Sequence, residues 1–337
     1  MRIPIKYVFL SSLLLASSAQ ADTVWLTNGD RITGTIVLLD GGKLLLKTPY
    51  AGTLSLDAKQ ISTLESDQQF TVKQQREDHG SLARLDSTES GQVLVSFADS
   101  DAQLPLKDIH QLVPHKPKEL ISDLVWSGSV HLSADYKRKE KDSDKYDLDL
   151  DTQVRHGRWR HLVNADYEHE TKDDSKTTDR FTGSYGLDYF LTQRWFWKGK
   201  GKYTHDRLED LRRQSTLGTG PGFQFWENEL GSLAASALLN HNSYSFANGS
   251  REHFKSLTGN WDYRRYFMAK TLEFYYKGEA GLPFTPAVDY TLDNETGLRY
   301  KLNSWASLSL RAEWEKVKSQ QGDLNDRRYL MGVGVSW

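Results

Sequence analysis

The chain has 337 residues, with 43 Lys and Arg against 45 Asp and Glu for a formal charge of −2, and no cysteine. That balance gives no case for a nucleic-acid partner. The missing thiols exclude a disulfide framework, a thiol nucleophile and a cysteine-ligated metal.

The N-terminus reads "MRIPIKYVFLSSLLLASSAQA". Arg2 and Lys6 form a basic start, residues 7–16 an apolar run, and Ala19-Gln20-Ala21 a small-residue cleavage pattern, so residues 1–21 read as a secretory signal peptide. The mature chain then starts at Asp22 with a charge of −4, because Arg2 and Lys6 leave with the leader. An uncleaved anchor is the weaker reading, since the run is short for a span. An exported chain without disulfides draws its stability from burial and sheet closure.

Residues 22–115 hold short apolar stretches separated by turns. Asn28-Gly29-Asp30 and Asp40-Gly41-Gly42 are hairpin turns by composition. The pattern recurs: "KLLLKT" (43–48) is echoed by "QVLVSF" (92–97), and "TLSLDAKQISTL" (53–64) by "AQLPLKDIHQLV" (102–113). Gly34 corresponds to Gly80 in this reading. The expectation is a tandem of small five-stranded SH3- or Sm-like β units, about 22–66 and 70–115. RNA binding, which Sm-like units often support, does not suit a module this far from basic; a structural or protein-docking role does. Residues 116–125, with Pro117, read as a linker.

From Trp126 to Trp337 the period is two. Trp126, Gly128, Val130, Leu132, Ala134 and Tyr136 alternate with Ser127, Ser129, His131, Ser133, Asp135 and Lys137. Tyr146, Leu148, Leu150 and Val154 alternate with Asp147, Asp149, Asp151 and Gln153; Trp195, Trp197, Gly199, Gly201 and Tyr203 alternate with Lys198, Lys200 and Lys202. Alternation sustained over ten or more residues, many times over, predicts a transmembrane β-barrel. Strands are expected near 126–137, 145–155, 159–167, 181–189, 194–203, 213–225, 229–241, 253–263, 269–280, 288–302, 305–316 and 327–337. Their connections alternate between long polar segments, such as "ETKDDSKTTD" and "HDRLEDLRRQ", and short ones, "HGR", "TQ", "WENE", "RRYF" and "NS". That alternation puts both ends of the barrel in the periplasm. In hydrocarbon every backbone N–H and C=O needs an internal partner, which leaves only helices and closed barrels. Aromatics, 12% of the chain with ten Trp and sixteen Tyr, then supply the interfacial girdles. The final "YLMGVGVSW" closes the barrel, and Tyr329 and Trp337 form the terminal aromatic pattern of an insertion signal. A large periplasmic β-sandwich is the soluble alternative, and it leaves the alternating connections unexplained.

With the leader, "NGDRITG" (28–34), the twelve-strand region and the aromatic terminus laid out, the chain resembles the YdiY-like family of salt-induced outer-membrane proteins, defined by a barrel domain of unassigned role. "TGLRYKLNSWASLSLRAEWE" (296–315) and the last strand carry the resemblance best. It implies a place in the outer membrane and a link to salt stress, and it brings no catalytic motif. The N-terminal module looks like an addition to the family pattern.

Candidate chemistry is thin. Asp147, Asp149 and Asp151 spell the start of a calcium loop, but Thr152 and Arg158 stand where Gly and Glu are needed. No G-x-S-x-G segment supports a rim hydrolase. Gly218, Gly220 and Gly222 precede no helix and do not make a phosphate loop. His161, His169 and His205 fall on the apolar face. No enzymatic activity, cofactor or metal is therefore expected. The inward charges are the candidate site: Asp147, Asp149, Asp151, Asp166, Glu168, Arg194, Lys198, Lys200, Lys202, Arg299, Lys301, Arg311, Glu313 and Arg328. They suit either a charge-lined pore for small solutes or ions, or a salt-bridge network filling a narrow barrel. The functional expectation is a narrow channel or envelope-integrity protein linked to salt or osmotic load. The alternative is a membrane-anchored scaffold whose periplasmic module docks a partner. Outer-membrane lipid, the barrel-insertion machinery and a periplasmic protein are the partners these readings imply, in a Gram-negative cell.

Overall fold

The computed structural model describes residues 21–75, 79–88, 91–115, 124–137, 143–173, 175–286, 288–303, 305–319 and 324–337. The leader up to residue 20 and most of the 116–125 linker lie outside the described residues.

The N-terminal module contains nine strands: β1 (Asp22–Leu26), β2 (Arg31–Asp40), β3 (Lys43–Thr48), β4 (Gly52–Asp57), β5 (Ile61–Lys73), β6 (Ser81–Ser87), β7 (Gln92–Phe97), β8 (Asp101–Pro105) and β9 (Gln111–Pro114). Their order is β4-β3-β2-β1-β5-β6-β7-β8, with β9 pairing both β2 and β5. The two arcs are quasi-equivalent. The first half of β5 pairs β1, and β9 pairs the second half of β5 in the same way. They are fused rather than separate units: β5 runs unbroken through the expected joint at 66–70, and one apolar core joins Val24, Ile36, Leu44, Leu46 and Leu64 to Phe70, Leu85, Val93, Val95 and Leu112.

The repeat register differs from the sequence alignment at one point. The offset that takes Lys43 to Gln92 takes Gly34 to Ala83, and both lie on the second strand of their arc. Gly80 instead occupies a turn at φ +78° before β6. Gly34 is required on its own account, because a Cβ there would lie 2.5 Å from the Lys47 carbonyl oxygen.

Residues 125–336 form twelve further strands: β10 (Val125–Lys137), β11 (Ser143–His156), β12 (Trp159–Lys172), β13 (Ser175–Phe190), β14 (Trp195–Asp206), β15 (Leu211–Asn228), β16 (Gly231–Phe246), β17 (Arg251–Phe267), β18 (Leu272–Pro283), β19 (Val288–Lys301), β20 (Ala306–Ser319) and β21 (Leu324–Ser336). All pair antiparallel with their chain neighbours, and β21 returns to β10 to close the barrel. The strands are longer than the hydropathy pattern suggests. "RRYF" lies inside β17, and the turn there is at residues 268–271. The polar segments expected as long loops are largely hairpin extensions: β14 and β15 are joined by residues 207–210 alone, and β16 and β17 by 247–250. Apolar periodicity stops at the lipid boundary, while backbone pairing continues beyond it.

The outer face is apolar. Leu132, Leu148, Val163, Leu217, Leu239, Leu257, Leu298, Leu310, Met331 and Val333 are all exposed on it. Aromatics flank this belt. At the short-turn end Trp159 packs on Tyr189 and Trp195 on Phe223, with ring centroids 4.7 and 4.9 Å apart. Eight residues up their strands stand Tyr167 and Phe181, about 26 Å along a strand and about 20 Å across a bilayer once tilted. Trp337 closes the seam: its N–H donates to the Gly128 carbonyl at 3.1 Å, its carbonyl accepts from Gly128 N at 3.2 Å, and its ring meets Trp126 edge-on at 5.7 Å. A Cβ on Gly128 would sit 2.5 Å from that indole, so only glycine admits it.

The module rests on the short-turn rim. β2 and β3 carry apolar runs without alternation, Val37-Leu38-Leu39 and Leu44-Leu45-Leu46, so both faces need cover. One face is the module core. On the other, Leu38, Leu45 and Val113 pack with Leu230 and Ala269 from two barrel turns. The Asp40 carboxylate accepts from Gln111 at 2.8 Å and from the Ala269 amide at 3.2 Å.

Asp22, the first residue after the expected cleavage point, is buried. Its carboxylate accepts from Ile36 N at 2.6 Å, Gln68 Nε2 at 2.7 Å and Ser66 Oγ at 2.5 Å, stitching β1 to β2 and β5. Asp22→Ala strands a buried amide and is expected to cost the module about 3 kcal/mol. Limited proteolysis of the folded full-length chain should then release the barrel much faster than in the wild type.

Candidate functional site

Alternation along β10–β21 sends every second side chain inward, and the inward set is polar. Twelve tilted strands spaced about 4.8 Å apart enclose a cylinder about 24 Å across between opposite Cα atoms. Side chains from facing walls nonetheless meet at several levels, so the bore is flattened there and not round.

At the short-turn end, Asp188 on β13 is completely inaccessible and holds Arg160 of β12 at 2.7 Å and Lys198 of β14 at 3.2 Å. Arg160 also donates to Gln224 at 2.9 Å and lies over the Phe190 and Phe196 rings. Arg155 pairs with Glu227 across β11 and β15. On the other side of this end, Glu273 forms an ion pair with Arg264 at 3.3 Å and accepts from Arg299 at 3.0 Å.

Halfway up, pairs cross the bore. Lys200 of β14 reaches Glu279 of β18 at 2.8 Å, and Lys277 of β18 lies 2.9 Å from Glu295 and 3.8 Å from Asp151 on β11. Asp151 also accepts from Asn164. Asp149 is paired by Arg311 and faces Asp166 in register. His131, opposite Asp149 on β10, is buried with no hydrogen-bond partner at either ring nitrogen among the described residues.

Toward the far end a chain of pairs runs from Arg180 to Glu168 at 3.0 Å, from Glu168 to Arg328 at 2.6 Å, from Arg328 to Glu313 at 2.7 Å and from Glu313 to Arg311 at 3.0 Å. Asp147 is 3.8 Å from Lys145. Beside this chain is a polar cavity of about 130 Å³, lined in part by Lys202, Gln214, Asp293 and Glu315. Lys202 is exposed to it and has no ion pair among the described residues.

The lumen thus gathers thirteen of the fourteen inward charges expected from the sequence: Asp147, Asp149, Asp151, Asp166, Glu168, Lys198, Lys200, Lys202, Arg299, Lys301, Arg311, Glu313 and Arg328. Arg194 is a correction. It lies in the exposed turn between β13 and β14, because β14 begins one residue later, at Trp195. Sequence reading passed over Arg160, Asp188, Lys277 and Glu279. Parity carried the signal, since each lies one residue from an outward apolar or glycine position on its strand. Tyr329 and Trp337 face outward on β21, clear of the lumen.

Deleting the Asp188 carboxylate leaves Arg160 and Lys198 side by side without a buried counter-charge. Asp188→Ala is expected to lose about 3–5 kcal/mol. The readout is a lower temperature at which the folded barrel loses its fast migration on SDS gels.

Comparison with known proteins adds the following. A family model described as "Protein of unknown function, DUF481" matches residues 130–337. Curated protein sequences returned no match. Among solved structures, the NanC porin in a rhombohedral crystal form is similar at 8% identity and TM-score 0.40, covering 63% of this chain and 99% of that one. The KdgM porin is similar at 14% identity and TM-score 0.34, covering 63% and 99%. The translocator domain of the autotransporter NalP from Neisseria meningitidis is similar at 11% identity and TM-score 0.34, covering 66% and 89%.

Proposed function

The chain belongs to the DUF481 family, and we propose that it is an outer-membrane β-barrel of a Gram-negative bacterium acting as a narrow channel for ions and water-sized solutes, its N-terminal module in the periplasm. One observation carries this reading: single, water-reached ion pairs span the bore. The Lys200 and Glu279 side chains remain 26% and 34% exposed while paired, and those of Lys277 and Asp151 remain 38% exposed at 3.8 Å separation. A wall of alternating fixed charges favours small hydrated ions and leaves no width for larger solutes. The apolar belt and its aromatic flanks support membrane insertion. Both barrel ends of the chain lie at the rim that carries the module, which supports a periplasmic orientation for an exported protein. The proposal contains no enzymatic step. Its partners are outer-membrane lipid and, during assembly, the insertion machinery.

The link to salt or osmotic load belongs to the same proposal. Exposed pairs weaken as ionic strength rises, so a bore spanned by half-exposed pairs opens further in salt. A second reading, a membrane-anchored scaffold, is favoured by the contact of the module with the Leu230 and Ala269 turns, which holds a small β-sheet domain at the rim for a periplasmic protein to dock.

Planar-bilayer recording of the purified chain tests the choice. Small discrete events are expected, with the double variant Lys200→Ala, Glu279→Ala raising the unit conductance severalfold. Silence from both proteins removes the channel and leaves the scaffold.

A further inference from the structure

On the outer wall of β15, β16 and β17 the aromatic flank is missing at the end away from the module. β12, β13, β14 and β20 carry Tyr167, Phe181, Tyr203 and Trp314 there, all exposed on the outside. On β15–β17 the register stacks a different set. The highest apolar row is Leu239, Leu257 and Leu282. Directly above it Leu217, His241 and Lys255 stand opposite one another. Next come Ser215, Ser243 and His253, and above them Arg213, Ser245 and Arg251. The intervening Asn240, Asn242, Ser256 and Thr258 point into the lumen, where they bond to one another, which fixes the named rows on the outside.

Two features at this place coincide. A groove of about 270 Å³ runs over the wall, floored by Leu217 and Leu239 and headed by His241 and Lys255. The cations around its head are exposed, and Arg213, Arg251 and Lys255 have neither an ion-pair nor a ring partner among the described residues. The rings of His241 and His253 stack at 5.9 Å. Elsewhere on the outer wall the basic side chains are engaged: Lys316 lies over Tyr290 and Arg327 over Trp314. Of the carboxylates of this quarter, Glu209 and Asp210 are in the turn beyond the strands, and Glu252 stands on β17 with inward parity, opposite Tyr244. A cation at the edge of an apolar belt costs little by itself and is stabilised where an anionic headgroup meets it.

We propose that this groove is a binding site for a phosphorylated lipid of the outer leaflet, one acyl chain lying along Leu217 and Leu239 and a headgroup phosphate held by Lys255, His241 and Arg213. Charge complementarity names the occupant. The site needs apolar length below and negative charge above, and in the orientation proposed above this end faces the outer leaflet. The inference rests on that orientation.

The test is native mass spectrometry of the full-length barrel in detergent, with diphosphoryl lipid A or its dephosphorylated form added as probe. One diphosphoryl copy is expected to stay bound under conditions that strip the dephosphorylated form. The combined variant Arg213→Ser, His241→Ser, Lys255→Ser should bind about tenfold or more weakly, and Lys255→Arg should hold wild-type binding. These residues face outward, and unchanged heat-dependent gel mobility confirms the fold. Equal retention of both lipids, undiminished binding by the triple variant, or a second copy of the chain seated on this wall each overturns the site. Membrane fractionation separates the two levels: a chain outside the outer membrane overturns the orientation, whereas lipid indifference in a chain located there overturns only the site.

Discussion

Backbone closure governs everything else in this molecule. In hydrocarbon an unpaired amide costs several kcal/mol, so the strands from residue 125 onward must end where they began. The seam that achieves this is short, running from Ser129 opposite Ser336 to Ser133 opposite Gly332. It is extended by the mutual hydrogen bonds of Gly128 and Trp337. Trp337 therefore does two jobs in one place: its backbone lengthens the seam by one pair and its indole covers it on the lipid side. Closure at twelve strands then sets the width of the bore, and the width sets the chemistry inside. A round ring of twelve strands, about 24 Å between facing Cα atoms, is too wide for a lysine and a glutamate to touch, so the contact of Lys200 with Glu279 means that the bore is flattened at that level. A wider ring would leave them hydrated and separate.

Charge inside the barrel also protects the register. An apolar filling would often be at least as stable as a buried ion pair. It would also make both faces of each strand greasy. A one-residue slip exchanges the two faces, and with Asp147, Asp149 and Asp151 on one face of β11 against Tyr146, Leu148 and Leu150 on the other, such a slip places three carboxylates in lipid. The polar lumen thus makes the wrong pairings expensive. The same opposition of faces explains why Asp188, with no access to water, is tolerated: Arg160, Lys198 and two phenylalanine rings surround it, and the apolar wall behind it offers no competing position.

Much of the barrel was legible because period-two hydropathy is a long-range pattern repeated twelve times. Strand number, order and face follow from it, and so do the inward carboxylates and lysines. The strand ends were less legible. Arg264 and Tyr266 belong to β17 because pairing with β18 continues to Phe267, although the turn beyond them carries no glycine or asparagine. Met268, Ala269 and Lys270 take left-handed conformations instead, at φ 52°, 51° and 63°. Side chains other than glycine and asparagine rarely adopt this region, so no turn signal marks the sequence there. Pairings across the bore, such as Lys200 with Glu279, were illegible for a different reason: parity says which way a side chain points and nothing of its height on a tilted strand.

That unusual turn links the two parts of the chain. Three consecutive left-handed residues without glycine persist only when their surroundings hold them. Here Asp40 of the module accepts the Ala269 amide, and Lys270 is drawn 2.5 Å from Glu229 in the neighbouring turn. Leu38, Leu45 and Val113 bury the Ala269 methyl and Leu230. The module is thus part of what shapes the rim. The strain in the turn and the second apolar face of β2 and β3 are relieved by one contact, so neither the turn geometry nor the unbroken leucine runs make sense for a module swinging free on its linker.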